Sequence, residues 1–300
     1  MSLKVNQGTI AKEAVVSGIG LHTGNRCKAI FKPAAENTGV TLIRADLPGA
    51  PSVKALYTNV VGVIRGTTVG LAGNDAMRVH TIEHMLSAVY ALDLDNLIIE
   101  MDANEPPVVD GSSQAFFDAL KNAGLVEQSA PKNVLRVPER FEYRDKETVI
   151  AVEPAAALEL TVEIQFKHPL IQHQKTSVKV EAERYRHEIS PARTFCFDYE
   201  VEQLKKHGLA KGGSLDNAVV VGLDRIHNKE KKLRFPDEFV RHKTLDLLGD
   251  LFLLGLRLEG HVTAVRPGHG HNVNFIRALA EKFVPGAPKF SELAPVSGGM

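Results

Sequence analysis

Twelve histidines stand out in this 300-residue chain, and the spacing of a few of them marks where chemistry could occur. In FVRHKTLDLLGDLFLLG, His242, Asp246 and Asp250 recur every fourth residue among leucines and phenylalanines. That spacing lays them along one stripe of a helix that is otherwise apolar around most of its circumference. A buried carboxylate without a partner costs several kcal/mol, so the stripe calls for a compensating cation. A metal ion is the simplest one, because HxxxD on a helix lets an imidazole and a carboxylate converge from adjacent turns. The same spacing also suits a His–Asp hydrogen bond on a partly solvated face, with Lys243 as an ion-pair partner.

Two further clusters could supply the rest of a site. HTIEH places His80, Glu83 and His84 on what reads as a helix, and HxxEH is a zinc-peptidase pattern in which both histidines bind metal and the glutamate activates water. RPGHGHN sets His269 and His271 among glycines after a strand-like run, where a turn can project a side chain into a cleft. Softer features are Thr194 in SPARTFCF, the double glycine of LAKGGSLDN, and His22 in the glycine-bracketed GIGLHTG. Histidines 168, 173, 187, 207, 227 and 261 lie among polar or strand residues and are assigned no chemistry.

The elements that must position these groups read as two halves of one style. Short alternating runs (TIAKEAVVSGIGL, KAIFKPA, GVTLIRAD, VKALYTNVVGVI) precede a helix through AMRVHTIEHMLSAVYAL, a buried strand NLIIEM and a helix GSSQAFFDALKNAG that starts at Ser112 or Ser113 and stops at Gly124. After a polar break near GLVEQSAPKN, strand-like runs again lead to YEVEQLKKHG, AVVVG, a long helix opened by Asp237, the strand HVTAVRP and a last helix HNVNFIRALAEKF. Strands first, then helix, strand and helix, twice over, indicate an α+β fold with helices on one face of each sheet. The boundaries expected are a first domain over 1–128, a second over 129–284 and a loosely ordered tail over 285–300. No internal repeat is visible in the residues themselves.

Composition narrows the function class. With 36 Lys+Arg against 36 Asp+Glu the net charge is +0, which argues against a broad phosphate-gripping surface and hence against a nucleic-acid partner. Two distant cysteines, no signal-peptide pattern and no uninterrupted apolar stretch long enough to span a bilayer suggest a cytoplasmic protein without a transmembrane segment.

Together, GIGLHTG, HTIEHMLSA, EPPVVDGSS, SPARTFCF, LAKGGSLDNAVVV, FVRHKTLDLLGDLFLLG and GHGHN resemble, in order and over nearly the whole chain, the UDP-3-O-acyl-N-acetylglucosamine deacetylases, zinc amidohydrolases of lipid A biosynthesis. The resemblance implies two similar domains, each a β-sheet layered with α-helices, with the helical layers packed together and the site in the cleft between domains. It implies one catalytic zinc per chain on His84, His242 and Asp246, with Glu83 as general base, His269 as catalytic histidine, Asp250 orienting it, and Thr194 donating to the oxyanion. Lys243 then contacts substrate, and Phe195, Gly213 and His22 stand in matching motifs as further substrate contacts. An apolar passage for the fatty acyl chain is expected from an insert in the second domain, around AVVVGLDRIHN near LAKGGS. The implied reaction hydrolyses the N-acetyl group of the acylated UDP-sugar and releases acetate, the committed step of lipid A biosynthesis. The chain is expected to act as a monomer, with the acylated UDP-sugar as its small-molecule partner.

The alternative is an HxxEH zinc peptidase that uses His80 and His84 as ligands. The two readings separate cleanly in a metal analysis. The deacetylase reading expects Asp246→Ala to lose bound zinc and His80→Ala to keep it; the opposite pattern sinks that reading.

Overall fold

The computed structural model describes residues 5–71, 73–229 and 232–295. Runs of alternating burial build two main sheets. The first joins Ala14–Ile19, Arg26–Pro33, Leu97–Met101, Val40–Arg44 and Ser52–Lys54, in that spatial order. The second joins Phe141–Asp145, Thr148–Glu153, Arg257–Val265, Leu158–Gln165 and His173–Lys179, and Val134–Arg136 adds to Arg257–Val265.

The two sheets share one connectivity. In each, the late central strand runs antiparallel to the second strand and parallel to the third: Leu97–Met101 beside Val40–Arg44, and Arg257–Val265 beside Leu158–Gln165. The repeat that no residue pattern shows is therefore present in topology.

Helices α1 (Glu83–Ala91) and α2 (Gln114–Asn122) belong to the first half. The second half carries α3 (Ala182–Arg184), α4 (Asp198–Lys206), α5 (Glu238–Phe252) and α6 (His269–Phe283). Helix α5 packs on α1 as well as on its own sheet, so the helical layers of the halves meet. One continuous apolar cluster runs from Ile10 through Leu86 and Leu247 to Ala280, which makes α1 and α5 the buried middle of the molecule.

Their contact depends on a missing side chain. A Cβ placed on Gly249 of α5 would lie 2.0 Å from the carbonyl oxygen of Glu83, so only glycine lets the helices meet at the residue that opens α1.

Two smaller units complete the cleft. A three-stranded meander, Val60–Gly62, Thr68–Leu71 and Asn74–Val79, comes from the first half, and a parallel pair, Phe195–Phe197 and Val219–Val221, connected through α4, comes from the second. The N-terminal strand Asn6–Ile10 pairs with Leu125–Pro131 where the halves join. Of the tail, residues 285–295 are tied down by bonds from Arg277 to the Ala294 carbonyl and from the Phe290 N–H to Glu281; 296–300 lie outside the described residues.

Two local expectations change. The helix read through AMRVHTIEH starts only at Glu83: Asn74–Val79 is a strand and His80 and Thr81 form the bend between them, with Thr81 at φ 53°. The apparent turn GHGHN is the first turn of α6, capped by Gly268. In both places a short helical turn is decided by tertiary neighbours rather than by its own apolar period.

Overpacking a filled contact costs about 1–3 kcal/mol or more. Gly249→Ala is therefore expected to lower the free energy of urea unfolding by at least that amount; an unchanged midpoint would show that α1 and α5 can part without cost.

Candidate metal centre

Each half of the site arrives on a helix. Glu83 and His84 open α1, His242, Lys243, Asp246 and Asp250 line α5, and His269 opens α6. The α5 residues stand one turn apart, so one face of an apolar helix carries all of them into the contact with α1. Glu83, His84, His242, Asp246 and Asp250 are each no more than 5% exposed.

The groups converge on one point. Asp246 Oδ1 lies 3.3 Å from His242 Nε2 and 3.6 Å from His84 Nε2, and the two rings meet edge to face at 4.9 Å. His242 Nδ1 donates to the Ala192 carbonyl at 3.1 Å, which leaves its Nε2 lone pair facing inward. Although fully buried, Asp246 Oδ1 accepts no hydrogen bond. An orphaned buried carboxylate oxygen costs roughly 1–3 kcal/mol or more, and a cation between it and the two imidazoles removes that penalty. Tetrahedral bonds of about 2.0–2.2 Å put neighbouring ligand atoms roughly 3.3–3.6 Å apart, the spacing found here. The residues fit a metal ion.

Electrostatics divides the histidines. Burial pushes the His242 imidazole down to about 3, so it stays neutral and able to ligate. Asp246 is held well below the usual carboxylate range, because the Lys243 ammonium and the charged His269 imidazole outweigh its burial. Burial also opposes a charge on His269, yet Asp250 and Glu83 outweigh it and lift the imidazole to about 9. Its Nδ1 donates to Asp250 Oδ2 at 3.0 Å, and its Nε2 faces Glu83 Oε1 at 3.8 Å and Asp246 Oδ2 at 3.9 Å. Burial raises Glu83 above an ordinary glutamate, against the pull of His269 and His84.

Of the remaining expected residues, Lys243 and Phe195 lie beside this centre. Lys243 Nζ donates to Asp246 Oδ2 at 2.9 Å and sits 5.8 Å above the Phe195 ring, which is edge-on to Phe239. Thr194 is strapped through its backbone to Gly111 and Val219 and, with Phe195, His22 and Gly213, lines a largely apolar cavity of about 500 Å³. That cavity is walled by Val201, Leu204, Leu215 and Val220, which come from the segment running from Phe195 through α4 to Val221. His22 and Gly213 meet there because the loops cross closely: a Cβ on Gly212 would lie 2.1 Å from the Gly20 carbonyl oxygen. A second cavity, of about 480 Å³, opens beside His269 and His271 and is lined by Arg65, Glu200 and His207.

His80 stands apart. Its Nδ1 is 3.0 Å from Thr68 Oγ1, and among the described residues the groups able to hold a metal are His84, His242 and Asp246, and Glu83, Asp246 and His269. HTIEH therefore does not form the two-histidine turn that an HxxEH peptidase needs.

Sequence reasoning missed Thr67 and Asn272, whose side chains both bond Asp250. Thr67 lies in no local pattern that marks it, and Asn272, though it closes RPGHGHN, was assigned no role.

Comparison with known proteins decides the affiliation. Residues 7–281 match the model of the family described as LpxC, UDP-3-O-acyl N-acetylglycosamine deacetylase. The chain belongs to this family. Among curated members, the UDP-3-O-acyl-N-acetylglucosamine deacetylase of Bdellovibrio bacteriovorus is 45% identical over 91% of this chain and 89% of its own length. The enzyme of the same name from Myxococcus xanthus is 41% identical over 91% and 86%. The bifunctional enzyme LpxC/FabZ of Chlorobaculum tepidum is 40% identical over 92% of this chain, which spans 64% of that longer protein. As an LpxC-family member the chain is a metalloenzyme of mixed α+β architecture, and no described helix is long and apolar enough to cross a membrane.

Because its folded pKa is raised, His269 contributes stability that is fully present below about 6.5 and lost as the pH rises through about 9. Asp250→Asn is expected to move the His269 titration, followed by NMR, well below about 9; an unmoved titration would place the source of the shift elsewhere.

Proposed function

We propose that this chain hydrolyses the N-acetyl group of UDP-3-O-acyl-N-acetylglucosamine, releasing acetate and UDP-3-O-acyl-glucosamine in the committed step of lipid A biosynthesis, with one zinc ion held by His84, His242 and Asp246. The reading is carried by one observation: an unbonded buried Asp246 Oδ1 faces the imidazole nitrogens of His84 and His242, beside the Glu83 carboxylate and a third imidazole, His269. Two imidazole nitrogens and one carboxylate with an open side are a donor set suited to catalytic zinc.

A neutral amide resists water near neutral pH, and bound zinc supplies Lewis-acid polarisation and a more acidic water at the site. Glu83 is the general base, since burial raises its affinity for a proton towards the working pH. His269, held protonated by Asp250 and Glu83, stabilises the developing oxyanion and then hands its Nε2 proton to the departing sugar amine. Thr194 adds a neutral hydroxyl donor at the oxyanion, and Lys243, Phe195, Gly213 and His22 contact substrate. The acyl chain occupies the apolar cavity that Phe195 and Leu215 line, where removal of its methylenes from water contributes about 0.8 kcal/mol each.

The proposed domain division is 1–128 and 129–284, with residues 285–300 as a tail and the Asn6–Ile10/Leu125–Pro131 pair at the join. A cytoplasmic location is supported by two free cysteines and a monomer by a site built wholly from one chain.

Activity must fall on both sides of an optimum. Glu83 has to be ionised, so the rate drops as the pH falls through its raised value; His269 has to be protonated, so the rate drops as the pH rises through about 9. Glu83→Ala is expected to retain zinc and fold but to lose acetate release by at least about 100-fold, in line with general base catalysis. A near-normal rate in that variant removes Glu83 from the role, and an unaltered basic limb in His269→Ala removes His269.

A further inference from the structure

We propose that Thr67 is a positioning residue that sets the geometry of both proton-handling groups at once. It lies in the loop before Thr68–Leu71 of the first-half meander and is wholly buried, with 0% exposure. Its backbone N–H donates to Glu83 Oε2 at 2.9 Å, which leaves Oε1 turned towards His269 Nε2, 3.8 Å away. Its hydroxyl donates to Asp250 Oδ1 at 2.6 Å and stands 3.3 Å from His269 Nδ1.

The hydroxyl completes the hydrogen bonding of Asp250. Oδ2 accepts from His269 Nδ1 at 3.0 Å and from Asn272 Nδ2 at 2.8 Å, and Oδ1 accepts from Thr67. A carboxylate bonded at both oxygens cannot rotate about its last bond without losing a donor, so the Thr67 hydroxyl fixes the plane in which Asp250 receives the His269 N–H. Because the main chain holds Glu83 and the side chain holds Asp250, a substitution at 67 frees the second while leaving the first in place. Thr67 also links the halves, since Asp250 and His269 belong to the second and the meander to the first.

The proposal rests on the acid and base assignments above, and its test is built to separate the two. Thr67→Val keeps the shape and removes the hydroxyl; Thr67→Ser keeps the hydroxyl. In the zinc-loaded enzyme, Thr67→Val is expected to lower kcat by about 10- to 100-fold, the range for losing a hydrogen bond to a charged group, with KM changed by no more than about two-fold. Thr67→Ser is expected to recover kcat to within about three-fold of the parent. Independently of turnover, the His269 Nδ1 proton should give a downfield NMR resonance in the parent and in Thr67→Ser that shifts or broadens in Thr67→Val. Unchanged kcat in Thr67→Val, an unmoved resonance, or equal loss of kcat and unfolding midpoint in both variants overturns the proposal. If the parent does not deacetylate the UDP-sugar but the resonance behaves as described, the substrate reading fails and the positioning role stands.

Discussion

The close crossing of α1 and α5 at Gly249 is the constraint on which the remainder of the structure depends. Each helix belongs to a different half, and each carries part of the site: Glu83 and His84 on one, His242, Asp246 and Asp250 on the other. With a Cβ at 249 only 2.0 Å from the Glu83 carbonyl oxygen, helix axes set by larger residues would stand further apart and the two imidazoles could not share a carboxylate oxygen. The same crossing explains the composition of α5. Leu245, Leu247, Leu248 and Leu251 are all at most 1% exposed, so the helix is anchored from several sides while its polar stripe faces α1.

Placing ionisable groups in that contact opposes the hydrophobic effect, and the neighbourhood resolves the conflict differently for each histidine. His242 gives up its charge, because burial dominates and its Nδ1 proton is already directed at the Ala192 carbonyl. His269 keeps its charge although it opens α6, where the helix dipole disfavours a cation, because Asp250 and Glu83 stand against it. One cleft thus holds a neutral imidazole suited to ligation and a charged one suited to proton donation. The distinction comes from the positions of carboxylates, not from residue type.

The cavities follow from the two units that flank this crossing. The first-half meander brings Arg65 and Thr67 over the centre, and the Phe195–Val221 unit supplies the apolar wall. Arg65 lines both cavities and pairs with Glu200 on α4 at 2.6 Å, so the units touch across the cleft. Loop crossings such as Gly20 against Gly212 account for glycines in GIGLHTG and LAKGGS that have no chemistry of their own.

Much of this was legible in the residues. The Leu-rich run interrupted at every fourth position already pointed to a polar stripe on an apolar helix and to a metal ion as one of two ways to satisfy it, because helical periodicity and the cost of burying charge are local properties. The order of strands and helices in each half was readable for the same reason. HTIEH shows the limit: as a string it permits a two-histidine turn, and only the strand Asn74–Val79 running up to His80 takes that residue out of the site. The bonds of Thr67 and Asn272 to Asp250 were invisible, because contacts across 183 and 22 residues leave no mark on local sequence. The sequence by itself determined which residue types were available and which faces had to be buried. The tertiary structure alone decided which of twelve histidines meet, and in which protonation state, because that depends on distances between segments far apart in the chain.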